Sequence, residues 1–236
     1  MNDNYIHWKS WKVDDFAQCS THLSNYYKKE LAKSGVNVCS HIRVLEIGFG
    51  NGSFLGFAER QGWTITGVEV SKDLLDRATY NGFDVLNYKE ISSLGENTFD
   101  LIVAFDVFEH LDRSELEWLF PKLKSLLKDD SVLIARFPNG DSPFGLRSFN
   151  GDFTHKTFLS SGKIYYLSDF SGLFLHSLRG EVEPLFGTGL RYFLFRVVSI
   201  PVKALINIFY RLIYSPRKKV EFAKANLVAV FINKRI

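Results

Sequence analysis

The sequence has few cysteines, no secretory leader pattern, no internal repeat, no low-complexity tract, and one long stretch without an acidic residue. Its two cysteines among 236 residues, Cys19 and Cys39, form no C-x-x-C and join no His/Cys cluster at ligand spacing. A disulfide scaffold and a structural zinc are therefore excluded as expectations, no metal site is expected, and a reduced, cytosolic compartment is inferred. The first eight residues carry no basic region followed by an apolar core, so no secretory signal is expected. Hydrophobic residues make up 46% and charged residues 23% of the chain, which fits neither disorder nor a wholly membrane-embedded protein. Acids are missing from 185–220, which holds Arg191, Arg196, Lys203, Arg211, Arg217, Lys218 and Lys219. That segment carries +7, leaving −4 for the rest of a chain whose net charge is +3. The pattern is a mildly acidic domain with one basic, apolar insert.

What is present in quantity is aromatic: 15% of the residues, including 22 Phe. Against that background one stretch stands out, Val44-Leu45-Glu46-Ile47-Gly48-Phe49-Gly50-Asn51-Gly52. It reads as a buried strand delivering a ligand-binding turn, because alternate glycines allow positive φ and let backbone polar groups approach a small molecule. The helical pattern that follows, residues 53–60, aims a helix N-terminus at the same spot. A second apolar run, Trp63 to Val68, ends in Glu69, seventeen residues after Gly52. An acid at the tip of the next parallel strand is where a βαβ unit holds a ribose diol, so the pair points to an adenosine-containing cofactor. The glycine spacing is G-x-G-x-G, not the G-x-G-x-x-G that cradles a pyrophosphate. Glu46 beside the loop would repel phosphate and suits a ligand carrying positive charge, which disfavours a nicotinamide-dependent oxidoreductase.

On these residues the chain resembles the class I S-adenosylmethionine-dependent methyltransferases, whose first motif runs acid-x-Gly-x-Gly-x-Gly. The resemblance covers roughly residues 40 to 135 and the closing strands. It implies a Rossmann-like α/β fold: a seven-stranded sheet, mostly parallel with an antiparallel last strand, and helices on both faces. It also implies that S-adenosylmethionine is held by Glu46, Gly48, Gly50, Gly52, Glu69 and Asp106, with Asn87 or Glu90 at the adenine amino group. Asp106-Val107-Phe108-Glu109-His110-Leu111 matches the motif after strand four, which borders the methionine end of the cofactor. Domain boundaries follow: a helical preface over 1–42, the cofactor domain over 43–184 and 225–236, and a helical insert over 185–224 between strands six and seven.

The long polar loop between strand five and the helix from Ser160 to Phe170 holds Pro138-Asn139-Gly140-Asp141-Ser142-Pro143 and Gly151-Asp152-Phe153-Thr154-His155. Long loops in compact domains usually have a task. At the carboxyl end of strand five this one would lie across the site. Its pattern resembles bacterial methyltransferases of the type 23 group, several of which serve surface-polysaccharide pathways. Methyl transfer to a hydroxyl needs a proton removed during attack, and an imidazole titrates near neutrality. His155 is the first candidate base, with Asp152 as its orienting partner and His110 as second choice.

The expected activity is O-methylation of a sugar hydroxyl on a glycan or lipid-linked glycan precursor. A quinone, lipid or other small-molecule methyltransferase, and a non-catalytic cofactor-binding module, remain as rivals. On a helical projection of 191–214, Arg196, Lys203 and Arg211 fall within an arc of about 80°, with the rest largely apolar. Three interior charges argue against a spanning helix and for an interfacial one with its basic stripe at lipid headgroups. Contact with a membrane surface through 190–219, at its inner face, is therefore expected, with packing on the domain or on a second copy in an oligomer as the alternative. Positive charge interleaved with aliphatics does not suit phosphate tracking, so no nucleic acid is expected.

Overall fold

The computed structural model describes residues 8–9, 11–36, 41–185, 189–214 and 221–234. Seven strands form one sheet: β1 Arg43–Ile47, β2 Thr64–Glu69, β3 Asp84–Asn87, β4 Phe99–Phe105, β5 Leu127–Pro138, β6 Phe174–Gly180 and β7 Asn226–Ile232. Their order is β3-β2-β1-β4-β5-β7-β6. The first five run parallel, and β7 lies antiparallel between β5 and β6. The expected sheet is thus the observed one. Strand order reverses between β1 and β4, and the crevice at the carboxyl ends of those strands is where such sheets bind ligands.

Alternation along the strands builds two apolar layers. Leu45 and Ile47 of β1, with Ile102 and Ala104 of β4, face a cluster that includes Phe108, Phe120 and Phe231. Val44, Leu101 and Val103 face the other cluster, which includes Leu31, Phe54, Phe57 and Trp63. The helices over these layers are α1 Thr21–Lys33, α2 Ser53–Arg60, α3 Lys72–Tyr80, α4 Arg113–Leu126, the short α5 Leu146–Asn150, and α6 Ser161–Ser171. The aromatic surplus packs α1 onto the sheet: the Tyr27 ring meets Phe54 edge-on at 5.0 Å and stacks on Phe105 at 5.5 Å.

Of the expected preface, one helix and a single 3-10 turn at Val13–Asp15 are described; residues 1–7, 10 and 37–40, Cys39 among them, lie outside the described residues. Ser20 caps α1 by accepting from the Leu23 amide at 3.2 Å, and the helix stops before Gly35, whose φ is +76°. Its buried Glu30 pairs with Arg179 of β6 and accepts from the Val182 amide at 2.9 Å.

The insert is a 25-residue helix, α7, over Leu190–Tyr214, with Pro201 inside it and no residue buried. By length and composition it is long and apolar enough to cross a membrane. One face meets the domain. Arg196 donates to the Pro184 carbonyl, Lys203 pairs with Glu183, Asn207 accepts from the Ala223 amide at 2.8 Å, and Tyr210 stacks on Phe222 at 4.1 Å. The expectation of an outward basic stripe is therefore corrected: Arg196 and Lys203 turn inward because acceptors wait at 183–184, and only Arg211 of the three is exposed. The outward face is Leu194, Phe195, Val198, Leu205, Phe209 and Leu212. Residues 215–219 of the expected contact lie outside the described residues.

Removing one member of a buried ion pair strands the other. Arg179→Ala is expected to lower the unfolding free energy by about 3–5 kcal/mol, read from the midpoint of urea denaturation at unchanged slope.

Candidate active site

At the end of β1 the chain turns through Gly48 and Gly50 with φ of +67° and +53°. A Cβ on Gly48 would sit 2.6 Å from Val107, and one on Gly50 would sit 2.9 Å from the Trp11 ring. Only glycine keeps this backbone open toward a ligand. Gly52 caps α2 in the same conformation, but its open side meets the Phe16 ring and it stands behind the cavity wall. Glu69, at the tip of β2, accepts from the Gly50 amide at 3.1 Å and from the Val70 and Ser71 amides at 2.7 and 3.1 Å. The expected ribose acid is thus tied to the glycine turn itself.

Glu46 lines the same wall, buried, and its Oε2 has no hydrogen-bond partner. Burial first, and the neighbouring Glu69 second, push its carboxyl well above the ordinary glutamate value. A buried carboxyl with an orphaned oxygen fits a ligand that brings positive charge or donors. Asp106 holds φ of +58°, a conformation that non-glycine residues adopt at a cost of about 1–3 kcal/mol. Its amide donates to the Arg136 carbonyl at 2.8 Å, and the Arg136 guanidinium binds its carboxylate, Nε at 2.9 Å.

The glycine turn, Glu46, Glu69 and Asp106 form one end of a cavity of about 900 Å³; His110, Asp152 and His155 line it elsewhere. Of the expected cofactor residues, Glu90 is a correction. Its carboxylate accepts from the Asn87 amide at 3.0 Å while the Asn87 side chain accepts from Lys89 at 3.0 Å, a capping box that opens the 3-10 turn Tyr88–Ser93. Tyr88 reaches the cavity in its stead.

The two histidines come from segments 45 residues apart in sequence. The Glu109 carbonyl joins them by accepting from the Lys156 and Thr157 amides at 2.7 and 3.0 Å. Their rings lie 4.6 Å apart, edge to face. Asp152, the expected orienting partner of His155, stands with Oδ2 3.9 Å from His155 Nε2, and it acts on the other imidazole as well. The Thr154 hydroxyl donates to Asp152 Oδ1 at 2.6 Å, so its oxygen accepts from His110 Nδ1 at 2.8 Å. His155 Nδ1 is held instead by the Phe149 carbonyl at 2.8 Å. Each ring thereby carries its proton on Nδ1 and keeps the Nε2 lone pair free of that bond. Burial, and then His155, lower the His110 pKa below its usual 6.5, so His110 is neutral at pH 7. Against burial, which would raise it, the Thr154 hydroxyl and amide and the Lys9 ammonium hold Asp152 down at about 2.

Three contributors escape sequence reasoning. Arg136 is a charge inside an apolar strand, and that interruption is a readable signal. Lys9, 3.2 Å from Asp152, and Trp11, over Gly50, come from the preface and carry no pattern that marks them.

Comparison with known proteins adds to this geometry. A family model described as a methyltransferase domain, type 23, matches residues 11–171. A search of the curated proteins finds no match. Among solved structures, a SAM-dependent methyltransferase from Archaeoglobus fulgidus is 21% identical, with 89% of this chain and 94% of that one covered at a TM-score of 0.62. An S-adenosylmethionine-dependent methyltransferase from Mesorhizobium loti is 12% identical over 94% and 100%, with a TM-score of 0.58. One from Thermotoga maritima, described as a possible histamine N-methyltransferase, is 18% identical over 98% and 96%, with a TM-score of 0.59. These likenesses are of fold, and they are consistent with S-adenosylmethionine as the cofactor. Glu69→Ala is expected to raise its Kd by about 10- to 100-fold in titration calorimetry, the loss of one or two hydrogen bonds to a charged group. Glu90→Ala is expected to leave that Kd within about twofold. With the family model matching more than half of its length, the chain belongs to the type 23 methyltransferase-domain family and is a methyltransferase.

Proposed function

We propose that the protein transfers the methyl group of S-adenosylmethionine to a hydroxyl oxygen on a glycan or lipid-linked glycan precursor. The observation that carries the reading is the pair of imidazoles, His110 and His155, each fixed by an Nδ1 hydrogen bond, lining the same cavity as the glycine turn. The cofactor supplies an electrophilic methyl on a sulfonium. The chain's own part is alignment and proton removal. Glu69 and the glycine turn bind the ribose, Glu46 and Asp106 face the positively charged methionine end, and aligned attack is worth about 7–11 kcal/mol. A neutral imidazole Nε2 takes the hydroxyl proton as the oxygen attacks.

The lipid-linked acceptor is supported by α7, whose outward face of Leu194, Phe195, Val198, Leu205, Phe209 and Leu212 is apolar and whose Arg191 and Arg211 are exposed. β6 ends and β7 begins at the same sheet edge as the cavity, and Asn226 lines it, so α7 is joined to the rim. The occupant that fits is an anionic lipid surface at the inner face of the membrane, each cation near it adding about 1 kcal/mol.

Two outcomes test this reading. His155→Gln and His110→Gln are each expected to lower kcat by about 10²- to 10⁴-fold at an unchanged cofactor Kd. In the wild type, kcat/KM for a polyprenyl-linked glycan acceptor should stay level from pH 7 upward and fall only below His110's ordinary value of 6.5, because its pKa is lowered. A fall that starts above neutrality would remove His110 from the role. For the membrane, the whole protein is expected to sediment with vesicles of phosphatidylglycerol and phosphatidylcholine but less with phosphatidylcholine alone. The double variant Phe195→Glu, Phe209→Glu is expected to remain in the supernatant as a monomer. A stable wild-type dimer that ignores vesicles would assign the face to a second copy.

A further inference from the structure

Sequence spacing offers no metal-ligand set, yet folding brings three ligand types together at the histidine-lined part of the cavity. One ligand atom from each of Glu109, His110 and His155 falls within 4.8 Å of the others. Glu109 is 1% exposed, and its Oε2 has no hydrogen-bond partner. Its Oε1 lies 4.0 Å from His155 Nε2. Burial first, and Asp106 second, raise its carboxyl well above the glutamate range, against a backbone hydrogen bond and the charges of Arg136 and Lys9.

The imidazoles are prepared in the way metal ligands are. A ligating histidine donates its other ring N–H to a carbonyl, carboxylate or hydroxyl, which fixes the tautomer and makes the free nitrogen more basic. His155 donates to the Phe149 carbonyl, and His110 donates to Thr154, whose own proton is committed to Asp152. Both Nε2 lone pairs are therefore available at once. The Lys9 ammonium, which would oppose a cation here, is held 3.2 Å from Asp152.

We propose that Glu109, His110 and His155 form a binding site for one divalent cation of the manganese-to-zinc series. Two imidazoles and one carboxylate suit these ions better than magnesium or calcium, which prefer oxygen throughout. Ligand atoms around a tetrahedral ion stand about 3.3 Å apart, so occupancy draws the three groups inward by rotamer adjustments of about 1 Å. Three protein ligands leave a coordination position open. This rests on the reading of the cavity as a hydroxyl-methylating site and alters one step of it. With both lone pairs on the ion, the acceptor oxygen occupies the open position and its O–H proton leaves to water. The O–C bond then forms as the C–S bond breaks, the electron pair passing to sulfur.

The test uses Co²⁺ alone as an optical probe on the whole protein. Visible ligand-field bands should appear and saturate at one ion per chain. Glu109→Gln and His155→Ala should each weaken Co²⁺ binding by at least about 100-fold, and Thr154→Val, which touches only the support of His110, by about 10- to 100-fold. His22→Ala, at an exposed histidine distant in sequence, should change nothing. Calorimetry with S-adenosylmethionine on the same samples should give an unchanged Kd, which reports that each variant is folded. Absence of saturable bands in the wild type, or bands that survive Glu109→Gln and His155→Ala, overturns the site. If cation binding fails while a hydroxyl acceptor is still methylated, the functional reading stands without it. If cation binding follows these residues while no hydroxyl acceptor is methylated, the site stands and the acceptor assignment falls.

Discussion

The site edge depends on one half-buried guanidinium. Arg136, in the apolar strand β5, binds the Asp106 carboxylate through two nitrogens and approaches Glu181 at 3.9 Å. Its plane also lies near the rings of Tyr26 and Phe105, 5.2 and 5.5 Å from their centroids. One side chain thus touches the end of β4, the segment after β6 and helix α1. A charge withdrawn this far from water needs partners around it. Compensation here comes from acids on one side and aromatic faces on the other. The left-handed backbone at Asp106 is held by the same residue, because the Asp106 amide is bound to the Arg136 carbonyl. Strain at the cavity wall is therefore secured from the neighbouring strand.

Much of this was legible in the sequence, and the boundary of legibility has a physical location. The glycine turn, the strand-tip acid and the apolar run of β4 are local patterns, so β1, β2, β4 and the crevice beside them follow from short-range chemistry. Glu90 shows how a local pattern can be misassigned. Asn87 and Glu90 stand at capping-box spacing, and the backbone amides claim the carboxylate before a ligand could. The helix at 190–214 was readable as a helix, but its facing was not. The acceptors that turn Arg196 and Lys203 inward belong to residues 183 and 184, close in sequence but outside the helical pattern.

Both histidines were readable as candidate bases, but their direct contact was not, for a different reason. Nothing in Phe108-Glu109-His110 or in Asp152-Phe153-Thr154-His155 announces that the two segments meet. Their meeting depends on a backbone carbonyl, that of Glu109, accepting two amides from the loop. Backbone hydrogen bonds of this kind are blind to side-chain identity. The same blindness explains why Asp152 serves His110 through Thr154 as well as facing its nearer neighbour in sequence, His155.

The position of β7 sets the order in which the protein can be completed. β6 is an edge strand whose sole neighbour in the sheet is β7, which separates it from β5. During synthesis the segments that become α6 and β6 are made before residues 226–232, so β6 at first has no strand to pair with. Until β7 is in place, the 25-residue apolar helix α7 has only its contacts with residues 183 and 184 to hold it. Its docking contacts at 222 and 223 have also not been made. The outward face of α7 is therefore secured late in folding, because the sheet that carries it closes only when β7 inserts between β5 and β6.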